Sequence, residues 1–403
     1  MVRRKKFFRW IFFTNLDPFV KKLMKNILYL LIVFLFVASC KKEHKKVSSK
    51  SSKILIYAWL HHKKNATNKE LKNQFQDLKN KGIDGLMYSA GHDPSLYKST
   101  GVIAKKVGLE FYAWIPTMVQ PTNPLLKPEW YAINGKGESA FDSPAYVPYY
   151  QFLCPAKTEV SNFLKNLYES VADVPEVDGI HLDYIRFPDV ILARGLWDKY
   201  DLVMDKEYPQ FDYCYCETCT QKFKSLSQID IKNVEDPSLV EEWKRFRYNL
   251  ITDMVNQIAD VVHNKNKTIN AAVFPGPSIA KKLVRQEWEN WNLDAIYPMN
   301  YNDFYLEGPQ WIGTVTKEEV SAVADKKPIY SGLFICPKPE NKTTENDPEN
   351  HGLLPEELEE AIKEAMINGA SGICIFTPDR MTKEHWEVLQ KIIYSDFSKP
   401  KQH

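Results

Sequence analysis

The chain has no Gly-rich loop with a following Lys after any candidate strand, no His-Glu-x-x-His helix, no His-x-His pair and no Gly-x-Ser-x-Gly elbow. The first absence removes a phosphate cradle, the next two remove the usual catalytic metal sites, and the last removes the serine nucleophile of an α/β-hydrolase. His61-His62 is a poor substitute for a metal pair, because neighbouring strand residues point to opposite faces. Charge of one sign is missing as well: 53 Lys and Arg stand against 51 Asp and Glu, a net charge of +2. A nucleic-acid surface would gather its basic residues on one face, so no nucleic-acid partner is expected. No linker breaks the body, which therefore reads as one large domain. No metal and no cofactor is called for, and carboxylates remain as the chemistry.

The N-terminus has a separate job. Ile27 to Ala38 is a short apolar run behind Lys25 that closes on Val37-Ala38-Ser39-Cys40. It has the length of a signal-peptide core rather than of a membrane span. Its ending resembles a bacterial lipobox, which implies cleavage before Cys40 and acylation of that thiol. Met24 is a natural start within this 1–40 signal region, and residues 41–53, rich in Lys and Ser, read as a solvated tether. The alternative is an uncleaved anchor helix. Either way the body, 54–397, is expected in the cell envelope, outside the cytoplasm and tied to a membrane. Nothing in the sequence specifies an oligomeric state.

Six further cysteines remain. Cys214-Tyr215-Cys216-Glu217-Thr218-Cys219 places three thiols in one loop, but a zinc site needs a fourth ligand and no nearby His provides one. An oxidising envelope favours a disulfide within this loop, or from it to Cys154, over zinc. Cys336 and Cys374 lie in apolar strand runs and read as inert core thiols.

Eight short apolar, β-rich runs follow one another: Ile54–Leu60, Gly85–Ser89, Glu110–Ile115, Gly179–Ile185, Ile269–Phe274, Ala295–Met299, Ile329–Phe334 and Gly372–Phe376. Helical stripes such as Leu71, Phe75 and Leu78 lie between most of them. Eight is the closing number of a (β/α)8 barrel, so the fold class is α/β, a TIM barrel. A weak repeat marks the entrances of the even strands: Ile83-Asp84-Gly85-Leu86, Val177-Asp178-Gly179-Ile180, Leu293-Asp294-Ala295-Ile296 and Ala370-Ser371-Gly372-Ile373. A small residue there is expected to let each strand pass close to its preceding helix. Long, aromatic-rich insertions follow strand three (Val119 to Leu153) and strand four (Asp189 to Asp236). Long loops in a barrel belong mostly to the catalytic face, and their rings suit either stacking on sugars or packing the loops down.

The carboxyl ends of the strands supply the candidate site. In strand four, period-two alternation puts His181 and Asp183 on one pocket wall, followed by Tyr184 and Arg186. His92 follows strand two, Trp114 ends strand three, Asn300 and Tyr301 end strand six, and Asp379 follows strand eight. Glycoside hydrolysis needs two carboxylates, one to protonate the leaving oxygen and one to attack or to activate water. Asp183 is the better placed, and Asp303 is favoured as its partner over Asp379, Glu287 and Glu307. The remaining residues of this set are candidate substrate contacts.

The stretch Asp178-Gly179-Ile180-His181-Leu182-Asp183-Tyr184-Ile185-Arg186-Phe187-Pro188 resembles the fourth-strand signature of the glycosyl-hydrolase-like family 10 barrels of bacteria. Pro128-Glu129-Trp130, Cys154-Pro155, Gln286-Glu287-Trp288 and Leu293-Asp294-Ala295-Ile296-Tyr297-Pro298-Met299-Asn300-Tyr301 agree with that group. The resemblance implies a TIM barrel with carbohydrate-active chemistry and Asp183 at the motif's acidic position. The Cys-rich loop departs from the common pattern. Strand five ends in Phe274-Pro275-Gly276, without the acid seen there in amylase-type barrels. The expected activity is hydrolysis of an oligo- or polysaccharide; the rival is a lipoprotein that binds glycans without turnover.

Overall fold

The computed structural model describes residues 53–120, 123–324, 326–338 and 347–393. The signal region and Cys40 lie outside the described residues, as does most of the tether. Among the described residues, no helix is long and apolar enough to cross a membrane.

Strands β1 (Leu55–His61), β2 (Gly85–Ser89), β3 (Glu110–Pro116), β4 (Gly179–Asp183), β5 (Thr268–Val273), β6 (Ala295–Pro298), β7 (Tyr330–Phe334) and β8 (Gly372–Phe376) form one parallel sheet in the order β6-β5-β4-β3-β2-β1-β8-β7. Parallel bridges Ile296 to Ile329 and Met299 to Gly332 join its two ends and close it. The fold is a (β/α)8 barrel. Its helices are α1 (Asn68–Asn80), α2 (Pro94–Val107), α3 (Thr158–Ala172), α4 (Glu217–Ser227), α5 (Glu241–His263), α6 (Pro277–Val284), α7 (Gln310–Val323), α8 (Pro355–Ile367) and α9 (Lys383–Ile392). Predicted and observed strands agree to within two residues at each end.

Strands buried on both faces alternate between two cores. Ile56, Ala58 and Leu60 pack outward against the helix shell, whereas Tyr57 and Trp59 point inward with Met87, Trp114, Tyr297 and Tyr330. The inner core is unusually aromatic: Tyr297 stacks on Tyr330 at 4.8 Å, and Tyr57 meets both edge-on. A packed interior of this kind leaves only the ends of the barrel for a ligand.

The entrance repeat has a different cause from the one expected. Asp84, Asp178 and Asp294 accept the backbone N–H groups of Ile56, Phe111 and Ile269 at 3.0, 2.7 and 2.7 Å, so each carboxylate caps the start of the preceding strand. The small residue serves strand-to-strand contact rather than strand-to-helix contact. A Cβ on Gly179 would collide with the Thr268 carbonyl of β5, and one on Gly372 with the Leu55 carbonyl of β1.

Buried between barrel and helix, Glu319 of α7 accepts from the Gly276 N–H at 3.1 Å and from the Asn300 side chain at 3.2 Å. Burial pushes its carboxyl from 4.5 up to about 8. The buried carboxyl is therefore protonated below that pH. A half-turn of the Asn300 amide would bring its Oδ1, which has no donor as placed, against the Glu319 proton. Because the folded state holds this proton more tightly than the unfolded chain, Glu319 costs stability as pH rises through the window from about 4.5 to about 8. Glu319→Gln preserves the shape and removes the titration. Its melting temperature relative to wild type should be unchanged near pH 4 and higher at pH 8.5, read by thermal unfolding at the two pH values.

Candidate active site

Asp183 closes β4 at the carboxyl end of the barrel, and its neighbours hold both of its oxygens. Trp114 Nε1, from the adjacent β3, donates to Oδ2 at 2.9 Å, and the Tyr184 backbone N–H donates to Oδ1 at 2.7 Å. Burial pushes the carboxyl above its ordinary value; the Trp114 and Tyr184 hydrogen bonds, then the Arg186 and His61 charges, pull it back. Tyr184 itself sits at φ 47°, in the left-handed region. A tyrosine there costs about 1–2 kcal/mol, and the strained turn is what aims its N–H at the carboxylate.

The rim around Asp183 comes from β1, β3, β6 and β8. His61, exposed at the end of β1, lies with its ring 4.6 Å from the Trp114 ring. Partial desolvation at the mouth lowers the His61 imidazole, while Asp183 and Asp379 both raise it, so this ring stands within the field of two carboxylates. Asp379, in the short turn after β8, is exposed and lies 3.6 Å from Lys63. Tyr301, after β6, packs against Phe334 at 5.0 Å and Phe376 at 6.0 Å. Burial raises its phenol well above the ordinary value, Cys374 and Asp183 add to this, and Arg380 opposes it. Asp183, Trp114, His61, Tyr301 and Asp379 thus share one mouth, its walls aromatic.

Several predicted site residues stand elsewhere. His181 shares the inward face with Asp183 but lies one layer deeper and has no exposed surface. Its Nε2 accepts from Trp59 Nε1 at 2.8 Å, so its proton is on Nδ1, which donates to Asn270 Oδ1 at 2.5 Å. Burial holds the imidazole down to about 3, and it stays neutral. Arg186 is buried in the loop after β4: Nη1 pairs with Asp189 at 2.8 Å, Nη2 donates to Tyr150 at 3.2 Å, and the Phe274 ring lies 5.0 Å away. Asn300 points out of the barrel, fully buried, toward Ser331 and Glu319. Glu287 pairs with Arg245 at 2.6 Å. Half-buried His92 meets Asn123 at 3.4 Å on the turn after β2.

Asp303 lies in the short helical turn Asn302–Tyr305, and its Oδ2 accepts the Gly352 N–H at 2.8 Å. Burial raises this carboxyl, the Gly352 N–H and His351 lower it, and Glu357 raises it. It ties the loop after β6 to the segment before α8. Sequence reasoning placed His61 at the carboxyl end of strand one and doubted it as a metal ligand, but did not count it among the candidate site residues; its place at the end of an inward-facing run, Tyr57, Trp59, His61, was the available signal.

The insertion aromatics mainly hold the loops together. Tyr146, from the segment after β3, stacks on Phe211, from the segment after β4, at 4.5 Å and 12°. Tyr149, 47% exposed, is the ring most open to a ligand in the β3 insertion.

Trp114→Phe keeps the ring and removes the donor to Asp183. The carboxyl should then titrate at higher pH, because the ionised form loses the hydrogen bond that favours it. Carboxyl carbon NMR of the two proteins across a pH series checks the shift; an unmoved Asp183 titration would exclude Trp114 as its tuning group.

No protein-family model and no curated protein sequence matches the chain. Among solved structures, the fold is similar to the PgaB (BpsB) glycoside hydrolase domain of Bordetella bronchiseptica, with TM-score 0.62 and 12% identity over 84% of this chain and 99% of that one. It is similar to the catalytic domain of β-amylase from Paenibacillus polymyxa, with TM-score 0.57 and 11% identity over 87% and 100% of the two chains. It also resembles α-L-fucosidase isoenzyme 2 from Paenibacillus thiaminolyticus, with TM-score 0.52 and 13% identity, over 85% of this chain but only 49% of that one. At these identities the likeness is one of fold, and the neighbours are glycoside hydrolases built on TIM barrels.

Proposed function

We propose that the protein hydrolyses glycosidic bonds in an oligo- or polysaccharide, with Asp183 as nucleophile or general base. The observation that carries this reading is the Asp183 carboxylate itself, buried at the carboxyl end of β4 and hydrogen-bonded by Trp114 and Tyr184. A carboxyl raised by desolvation yet fixed in direction suits attack on an anomeric carbon or withdrawal of a proton from water. The aromatic walls suit the apolar faces of sugar rings. The glycoside hydrolase neighbours add support at the level of fold.

For the second carboxylate we favour Asp379 over Asp303 on electrostatic grounds. Asp379 shares His61 with Asp183, whereas Asp303 is engaged by Gly352. Tyr301 stands beside Asp183 as a neutral hydrogen-bond donor to substrate.

Asp183→Asn should leave folding and glycan binding intact and lower turnover by about a thousandfold or more. Full activity of this variant on a glycan cleaved by wild type would end the proposal. Asp379→Asn and Asp303→Asn then identify the acid. The true acid variant should be slow on a natural glycan but much less impaired on an aryl glycoside with a good leaving group, which needs little protonation.

We further propose that Cys40 carries a lipid that holds the body at a bacterial membrane. One acyl group gives only marginal binding, and stable anchoring takes more than one chain. Cys40→Ser should move the protein to the soluble fraction; unchanged membrane fractionation together with no lipid label on the wild type would refute the anchor.

A further inference from the structure

Four cysteines that the hydrolytic site does not use converge on one buried point. Cys154 comes from the segment between β3 and α3, Cys214 and Cys216 from the insertion after β4, and Cys219 from the first turn of α4. All four are buried, and their sulfur atoms all lie within 4.8 Å of one another. Cys154 Sγ is 3.5 Å from both Cys216 Sγ and Cys219 Sγ. A disulfide needs about 2.05 Å. The expected bridge is not formed, and all four thiols are free. The fourth ligand that the loop alone lacks is Cys154.

We infer that Cys154, Cys214, Cys216 and Cys219 form a tetrathiolate site for one structural zinc ion. Four sulfurs at about 2.3 Å from a tetrahedral zinc stand about 3.8 Å apart, within the range these four span. Four neutral thiols packed as small hydrophobes have no reason to converge on a single centre. The backbone around them is arranged for charge on sulfur: the Ile133 N–H donates to Cys214 Sγ at 3.3 Å, and the Cys219 N–H donates to Cys216 Sγ. Cys216 is also the N-cap of α4, where a helix dipole favours an anionic ligand. Binding replaces four S–H bonds by four Zn–S bonds and releases four protons, with no change of oxidation state.

The site would join the two long insertions that wall the mouth. Leu153, next to Cys154, donates its N–H to the Met118 carbonyl at 2.8 Å, and the Met118 N–H donates to the Tyr184 carbonyl at 3.2 Å. The cluster is therefore joined by backbone hydrogen bonds to the residue that orients Asp183. The ion's role is structural, since all four of its positions are filled by protein.

The test is the metal and thiol content of the full chain, purified without chelator or reductant. We expect about one zinc per chain, with the four thiols slow toward a disulfide reagent until a mercurial releases the zinc to a colorimetric chelator. Replacement by Co(II) should give the visible bands of a tetrahedral thiolate site. Cys219→Ser should lose most of the zinc and Cys336→Ser none. Two disulfides in the wild type, seen as a mass four hydrogens lower, would overturn the inference. So would four reduced thiols that fail to take up added Zn(II) or Co(II), and iron in zinc's place would overturn the assignment of the ion. None of these readouts depends on hydrolytic activity.

Discussion

A hydrogen bond across the inside of the barrel sets the floor on which the site stands. The Trp59 indole donates to His181, and His181 in turn donates to Asn270, so β1, β4 and β5 are joined through their inward-facing side chains. Three polar groups lie in the packed interior here, and each satisfies another. Leaving one of them without a partner would cost about 1–3 kcal/mol. The arrangement requires neutral His181, because an imidazolium has no lone pair for the Trp59 N–H. Burial guarantees that state by holding the imidazole down to about 3. With this layer filled, space for a ligand begins one layer higher, at Asp183.

Above that floor the architecture is unusually charged for its depth. Arg247 pairs with Asp212, Arg285 lies 3.5 Å from the same carboxylate and also pairs with Glu207, and Tyr215 donates to Asp212 at 2.6 Å. Buried ion pairs of this kind offset desolvation with difficulty and add little stability over an apolar core. Their use is positional: Asp212 belongs to the insertion after β4, while Arg247 and Arg285 come from α5 and the end of α6. Removing one partner would leave a buried charge unpaired, so the insertion has few alternative ways to lie against the barrel. Arg186 with Asp189 acts in the same manner nearer the mouth. Arg186, a candidate substrate contact in the sequence, is thus an anchor for the loop that carries the mouth's outer wall.

The eight strands were legible because burial on both faces writes continuous β-rich runs, and the even-strand repeat because each Asp caps a neighbouring strand. Asp183 and Trp114 were legible for the same reason, each ending a run on its inward face. Depth along a strand was not. His181 and Asp183 share a face but differ by two residues, about 7 Å of rise, which separates a sealed layer from an open one. Alternation also distinguishes Asn300 from Tyr301: Tyr297, Met299 and Tyr301 point inward, and Asn300 between them must point out. The contribution of Cys154 to the thiol cluster was not visible from spacing, since 60 residues separate it from Cys214 and only the packing of two insertions brings them together.

The electrostatics of Asp183 follow from this division between sealed floor and open rim. Removal from water favours the protonated carboxyl, whereas the Trp114 donor, the strained Tyr184 N–H and the nearby Arg186 and His61 favour the carboxylate. Had desolvation acted alone, the group would hold its proton and make a poor base; had the donors acted in full solvent, it would ionise far below neutrality and be a weak one. Opposition between the two leaves a carboxyl raised above its ordinary value and fixed in direction. The donors belong to the scaffold, one on β3 and one in the turn that ends β4, so their placement is set by barrel register before any ligand arrives. Under the hydrolysis proposed above, donors fixed in this way would need no reorganisation at the moment of bond cleavage, which is how a rigid barrel would contribute to the rate.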